Sequence, residues 1–294
     1  MKKCAIVLIL AMILAMMAGC SAPGREGGQI AATTLPVYDF TQRLCEGTGL
    51  TVTRLVTEQV SCLHDYSLNV NQVKASEAAE TIVISGAGLE DFLGDILQED
   101  KVIDASAGIE LLESHHHHHD EAEQEPHDHE HDPHLWLSPV HAGTMARNIC
   151  AGLTQAYPQH QQALEANLNA LLADLDELQA YGEAQLAELG CRELVTFHDG
   201  FAYFAQAFDL TILEAMEEES GSEASAQELT GLIDLVKEHQ LPAVFTEKNG
   251  SDSAASVISS ETGAEVFALD MAMSGDSYFD SMYYNIDTLK EALG

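Results

Sequence analysis

Apolar and polar positions along the chain follow two alternating rhythms. Short runs rich in β-branched and aliphatic residues predict strands at 30–35, 51–56, 81–85 and 102–105, and again at 193–197, 210–214, 243–247 and 265–269. Between them the spacing turns helical, over 38–47 and 88–97 in the first half and over 201–208, 226–239 and 253–261 in the second. A last helix over 276–293 closes the chain. Strands alternating with helices of about ten residues predict parallel sheets covered by helices. The same style on both sides of the chain predicts an α/β protein with two parallel-sheet lobes.

One helical stretch is longer than the rest. Leu164, Leu168, Leu171, Leu172, Leu175 and Leu178 recur in steps that make a single stripe, while Glu165, Asp174, Asp176 and Glu177 stay on the polar side. Pro158 stands at its expected start, and a helix from there to about Leu189 would run on the order of 45 Å at about 1.5 Å per residue. It divides the chain into an N-terminal lobe at 30–157, a rigid connecting helix at 158–189 and a C-terminal lobe at 190–294, with a cleft between the lobes.

The first residues follow neither rhythm. Lys2 and Lys3 precede an unbroken apolar run over 5–17, and Ala18-Gly19-Cys20 supplies small residues at a cleavage point. The run falls short of the about 20 apolar residues a membrane span needs. Met17-Ala18-Gly19-Cys20 resembles a bacterial lipobox, which implies a signal peptide at 1–19 and a lipid on Cys20. The Gly-rich stretch at 20–29 suits a flexible tether. The expected location is extracytoplasmic, on a lipid anchor at the bacterial cell membrane.

Charge narrows the function. Against 12 Lys and Arg stand 48 Asp and Glu, a formal net charge of -36, which repels nucleic acid and excludes it as a partner. Ten of the 14 histidines lie between His115 and His141. Most crowd the segment 114–131, where His115, His116, His117, His118, His119, His127, His129 and His131 alternate with acids and almost nothing is apolar. Such a segment cannot offset its ordering entropy and is expected to be a mobile loop. Its interior position and acidic continuation argue against a purification tag. Cys45, Cys62, Cys150 and Cys191 have no C-x-x-C spacing, and either disulfides or buried free thiols fit them.

Four other residues stand where ligands gather in open α/β sheets, near strand ends. His64 follows a strand and a turn, His134 follows Asp132-Pro133, His198 ends a strand before Asp199-Gly200, and Asp270 ends another. His160 and His239 lie on polar helix stretches and read as solvated surface. Three neutral imidazoles and a carboxylate suit Zn²⁺, which favours four-coordination by such groups.

These residues sit in motifs. Asp132-Pro133-His134-Leu135-Trp136-Leu137 resembles the Asp-Pro-His-x-Trp-Leu motif of the zinc and manganese solute-binding lipoproteins of bacterial ABC importers. Thr196-Phe197-His198-Asp199-Gly200-Phe201 is similar to that family's second histidine motif, and Glu261-Thr262-Gly263-Ala264 and the Asn285-containing end also fit. The resemblance runs from about Ile30 to the C-terminus. It implies two lobes with metal in the cleft between them, and His64, His134, His198 and Asp270 as the ligands. Zn²⁺ is then the transported ligand, an ABC transporter permease the partner, and the protein a monomer. Glu247 resembles an acid near the family's site, which either supports a ligand or substitutes for one. Histidine at 198, where manganese members usually have Glu, and the acidic His-rich loop both point to zinc. Two departures are visible: Val60-Ser61-Cys62-Leu63 lacks the usual Gly, acid and Pro, and Met271-Ala272-Met273 replaces the usual Pro-Leu.

The reading is a non-enzymatic protein that captures extracytoplasmic Zn²⁺ and delivers it to a permease. A manganese importer component and a surface zinc buffer or adhesin are the alternatives. A zinc hydrolase is disfavoured, because H-E-x-x-H and a serine nucleophile elbow are absent and four protein ligands leave no open position for water.

Overall fold

The computed structural model describes residues 28–58, 63, 66–113, 131–216, 225–273 and 275–294. The expected signal peptide, Cys20, most of the tether, Cys62, His64 and the loop histidines from His115 to His129 lie outside the described residues.

Each of the eight expected strands forms. In the N-terminal lobe β1 (Ile30–Ala32), β2 (Val52–Arg54), β3 (Thr81–Ile84) and β4 (Val102–Asp104) are parallel, in the order β2-β1-β3-β4. In the C-terminal lobe β5 (Glu193–Thr196), β6 (Thr211–Ala215), β7 (Ala243–Glu247) and β8 (Glu265–Leu269) repeat that winding as β6-β5-β7-β8, again all parallel. The central strands are buried on both faces, as covered parallel strands must be: all of Ile30–Ala32 and all of Ala243–Glu247 are inside.

Helix α1 (Leu35–Leu44) follows β1, α2 (Val70–Ala78) precedes β3, and α3 (Pro139–Ala156) leads into the connector α4 (Gln161–Gln185). In the second lobe α5 (Ala202–Ala207), α6 (Ala226–His239) and α7 (Ser253–Thr262) link the strands, and α8 (Tyr278–Leu293) ends the chain. Local chemistry sets several starts. Ser138 Oγ accepts the His141 N–H ahead of Pro139, which fixes the first turn of α3 just beyond Trp136. Ser225 and Glu228 form a reciprocal capping box on α6.

The connector has 25 α-helical residues after a 3-10 turn at Pro158–His160, a length of about 37 Å. Leu164, Leu171, Leu175 and Leu178 of its stripe are buried, against α1, α3 and α8. One apolar core runs through both lobes beneath it, with Phe40, Trp136 and Leu137 from the first and Tyr203, Phe204 and Tyr278 from the second. Gly182 is needed where α4 crosses Phe208: a Cβ there would stand 2.2 Å from the ring.

Two local features differ from the pattern reading, and a third, the state of the cysteines, resolves one it left open. The stretch at 88–97 is a 3-10 segment at Asp91–Ile96, broken at Gly94, whose φ of 42° is outside the helical region. Helix α2 carries no apolar stripe strong enough to announce it, whereas α3 buries a regular one, at Ala142, Met145, Ala146, Ile149, Cys150 and Leu153, that the expected elements omit. The buried side chains of α2 are Gln72 and Ser76, and the buried face of α3 mixes Gly143 and alanines with larger residues. Cys45 and Cys150 are buried free thiols and Cys191 a half-buried one. Burial pushes the Cys45 thiol up to about 12, so it stays protonated and unreactive. Among the described residues no helix is long and apolar enough to cross a membrane.

Candidate metal centre

His134 sits on the short loop that enters α3, and its neighbour Asp132 holds it. Asp132 Oδ1 accepts the His134 backbone N–H at 2.9 Å and lies 2.8 Å from His134 Nδ1. An aspartate two residues ahead of the N–H it receives is a self-closing turn, which Pro133 between them stiffens. The loop is then tied to the opposite lobe. The Trp136 indole N–H donates to the Met271 carbonyl at 2.8 Å, and the Tyr278 hydroxyl donates to the Trp136 carbonyl at 2.7 Å. Tyr203 Oη donates to the Asp132 carbonyl at 3.0 Å and accepts the Leu112 N–H at 2.8 Å. Burial lifts the Tyr203 phenol to about 12, so it remains a neutral donor.

His198 leaves the end of β5, where Thr196 Oγ1 donates to its carbonyl at 3.0 Å. Glu247, the last residue of β7, places Oε1 3.0 Å from His198 Nδ1. Each imidazole therefore faces a carboxylate through Nδ1. A proton held on that side leaves Nε2 with its lone pair free, the arrangement found behind metal-ligating histidines. The two Nε2 atoms stand 3.3 Å apart, on rings that meet edge to face and are both buried. Two nitrogens about 2.0–2.1 Å from one tetrahedral Zn²⁺ would be separated by about 3.3–3.4 Å. Gly200 makes this approach possible: a Cβ there would lie 2.7 Å from the His198 ring, 3.0 Å from the His134 ring and 2.6 Å from the Met271 methyl.

Asp270 lies just past β8, buried, and is held by its own lobe. Asn285 on α8 accepts its N–H and donates to its carbonyl, both at 2.7 Å. Asp270 Oδ1 accepts the Ala272 N–H at 2.8 Å, which bends the backbone so that Ala272 takes a φ of 54°. Asp270 Oδ2 receives Lys248 Nζ at 3.3 Å.

The structure thus brings His134 and His198 together and sets Glu247 behind His198. Among the described residues no three His, Cys, Asp or Glu side chains converge as a metal-holding group, and Asp270 is engaged by Lys248. His64 lies outside the described residues, as do the histidines from His115 to His129, while His131 is exposed and pairs with Glu113 in an isolated antiparallel bridge. Asp132, Lys248 and Gly200 were not singled out as site residues. The signal for Asp132 was its place two residues before a histidine, whereas Lys248 and Gly200 act through tertiary neighbours that spacing does not reveal.

Comparison with known proteins places this arrangement. The family profile described as zinc-uptake complex component A, periplasmic, matches residues 30–292. The chain is 27% identical to the high-affinity zinc uptake system protein ZnuA of Bacillus subtilis, over 99% of this chain and 98% of that protein. It is 25% identical to the manganese-binding lipoprotein MntA of Halalkalibacterium halodurans, covering 100% and 99% of the two. A crystal structure of a ZnuA deletion mutant with zinc bound superposes with a TM-score of 0.76 at 30% identity, over 90% of this chain and 97% of that one. The chain belongs to the zinc-uptake component A family, the non-enzymatic metal-binding proteins that serve ABC importers of zinc and manganese.

Proposed function

We propose that this protein captures extracytoplasmic Zn²⁺ through His64, His134, His198 and Asp270 and hands it to the permease of an ABC transporter. The pair of Nε2 atoms 3.3 Å apart, each imidazole backed by a carboxylate, is the observation that carries the reading. Asp132 and Glu247 orient the rings and raise their basicity, and Gly200 lets them close on one ion. Imidazole donors suit Zn²⁺, while Mn²⁺ favours carboxylate and water. The lipid on Cys20 and the tether hold a monomer at the membrane surface. The segment 114–131 gathers Zn²⁺ weakly and raises its concentration beside the site, acting on capture rate more than on final affinity. The test is a competition titration of metal-stripped protein, prepared without metal-affinity resin, against Zn²⁺ and Mn²⁺. It should show about one tight Zn²⁺ per chain and weaker Mn²⁺. Tighter, stoichiometric Mn²⁺ would make this a manganese carrier.

A further inference from the structure

The end of β7 supplies two adjacent side chains to the site, and they do opposite things. Glu247 faces His198, while Lys248, the next residue, faces Asp270. The register explains the reach: Glu247 pairs with Leu269 in the sheet, and the Lys248 N–H donates to the Leu269 carbonyl at 2.9 Å, which sets Lys248 beside the residue that follows β8.

Asp270 is buried, and its Oδ1 is taken by a backbone N–H. Oδ2 is the oxygen that faces a cation, and the cation facing it is the Lys248 ammonium at 3.3 Å. A divalent ion binding Asp270 would meet a positive charge at hydrogen-bond distance from its ligand, so the two compete for one carboxylate. The lysine has somewhere else to go. Its side chain is 52% exposed, and its ammonium already lies 4.7 Å from the centre of the Tyr284 ring, itself partly exposed. Swinging onto that ring or into water costs the ammonium no burial.

We propose that Lys248 is a built-in competitor for the cargo: it neutralises Asp270 until a divalent cation displaces it, and its return promotes release. A carrier must let go of its metal, and a tethered cation weakens binding without occupying a ligand position. This rests on the reading of Asp270 as a ligand.

The experiment measures Zn²⁺ affinity and release with a chromogenic chelator at low ionic strength, for the wild type, Lys248→Met, Asp270→Asn and the double variant. Lys248→Met should bind about two- to fivefold tighter and release more slowly, the range expected for a half-exposed ion pair. Lys248→Arg, which keeps the charge, should stay close to wild type. In the Asp270→Asn background the lysine substitution should change nothing. If Asp270→Asn weakens binding while Lys248→Met binds no tighter than wild type, the competitor role is wrong and the ligand reading stands. An equal gain from Lys248→Met with and without Asp270 would also overturn it, since the lysine would then act only through general charge. Unchanged affinity in Asp270→Asn would overturn the ligand reading itself, and the competitor role with it.

Discussion

The two lobes share a strand order but use the polar groups at their strand ends differently. In the N-terminal lobe the carboxylate deepest among the ends of β1 and β3 is Glu90. It receives Thr33 Oγ1 at 2.6 Å and the N–H groups of Ser85 and Gly86 at 2.7 and 2.9 Å, entirely within its lobe. In the C-terminal lobe the carboxylate ending β7, Glu247, faces His198. The N-terminal histidine instead takes its carboxylate from its own loop, Asp132. One winding therefore supports two solutions. A histidine on a short loop takes a local partner to hold it, whereas a histidine at a strand end can borrow one from the next strand. The cross-lobe bonds of Trp136, Tyr278 and Tyr203 then tie the loop that carries His134 to the lobe that carries His198.

Substitutions at these three carboxylates separate the roles, from the largest expected effect to the smallest. Burial raises the Glu90 carboxyl from 4.5 to about 7, against the pull of its three donors. With the folded value above the unfolded one, the protonated group stabilises the fold fully below about pH 4.5. That contribution is lost as pH rises through about 7. At about 1.4 kcal/mol per pH unit, the loss is on the order of 3 kcal/mol. Thermal melts of wild type and Glu90→Gln from pH 4 to 8 should show the wild type's relative stability falling across that window. A constant difference between the two curves would place Glu90 in ordinary solvation. Next comes Asp132→Ala, which frees the His134 ring and leaves its buried N–H without this partner. Chelator competition should find Zn²⁺ affinity lower by about 10–100-fold, and melting should show about 1–3 kcal/mol less stability. Glu247→Gln, which keeps the shape and removes the charge behind His198, should lower affinity by about tenfold. Wild-type affinity in both variants would mean the carboxylates do not tune the imidazoles.

The strands were legible because parallel β-runs between helices leave a plain apolar signature, and the connector because its leucines recur in one stripe. Helix α2 was not, since its buried face carries Gln72 and Ser76, whose burial is set by neighbours rather than by period, while the stripe of α3 from Ala142 to Leu153 was there to be read. At the site, His134 and His198 were readable from the motifs around them, and their closeness across the lobes is what the fold adds. Glu247 was visible as an acid near the site, but its choice of His198 depends on β7 lying beside β5. Lys248 had no sequence signal, because its meaning comes from the register of β7 against β8.

The histidine pair is tested most directly by calorimetric Zn²⁺ titration of three chains beside the wild type: one lacking residues 114–130, His134→Ala and His198→Ala. The deletion should keep one tight Zn²⁺ per chain and lose additional weak binding, since it removes none of the proposed ligands. Each point variant should keep its fold by circular dichroism and weaken the tight site by about 100-fold or more, as loss of one of the four proposed ligands would. Tight binding that vanishes with the segment and survives both alanine substitutions would contradict the account.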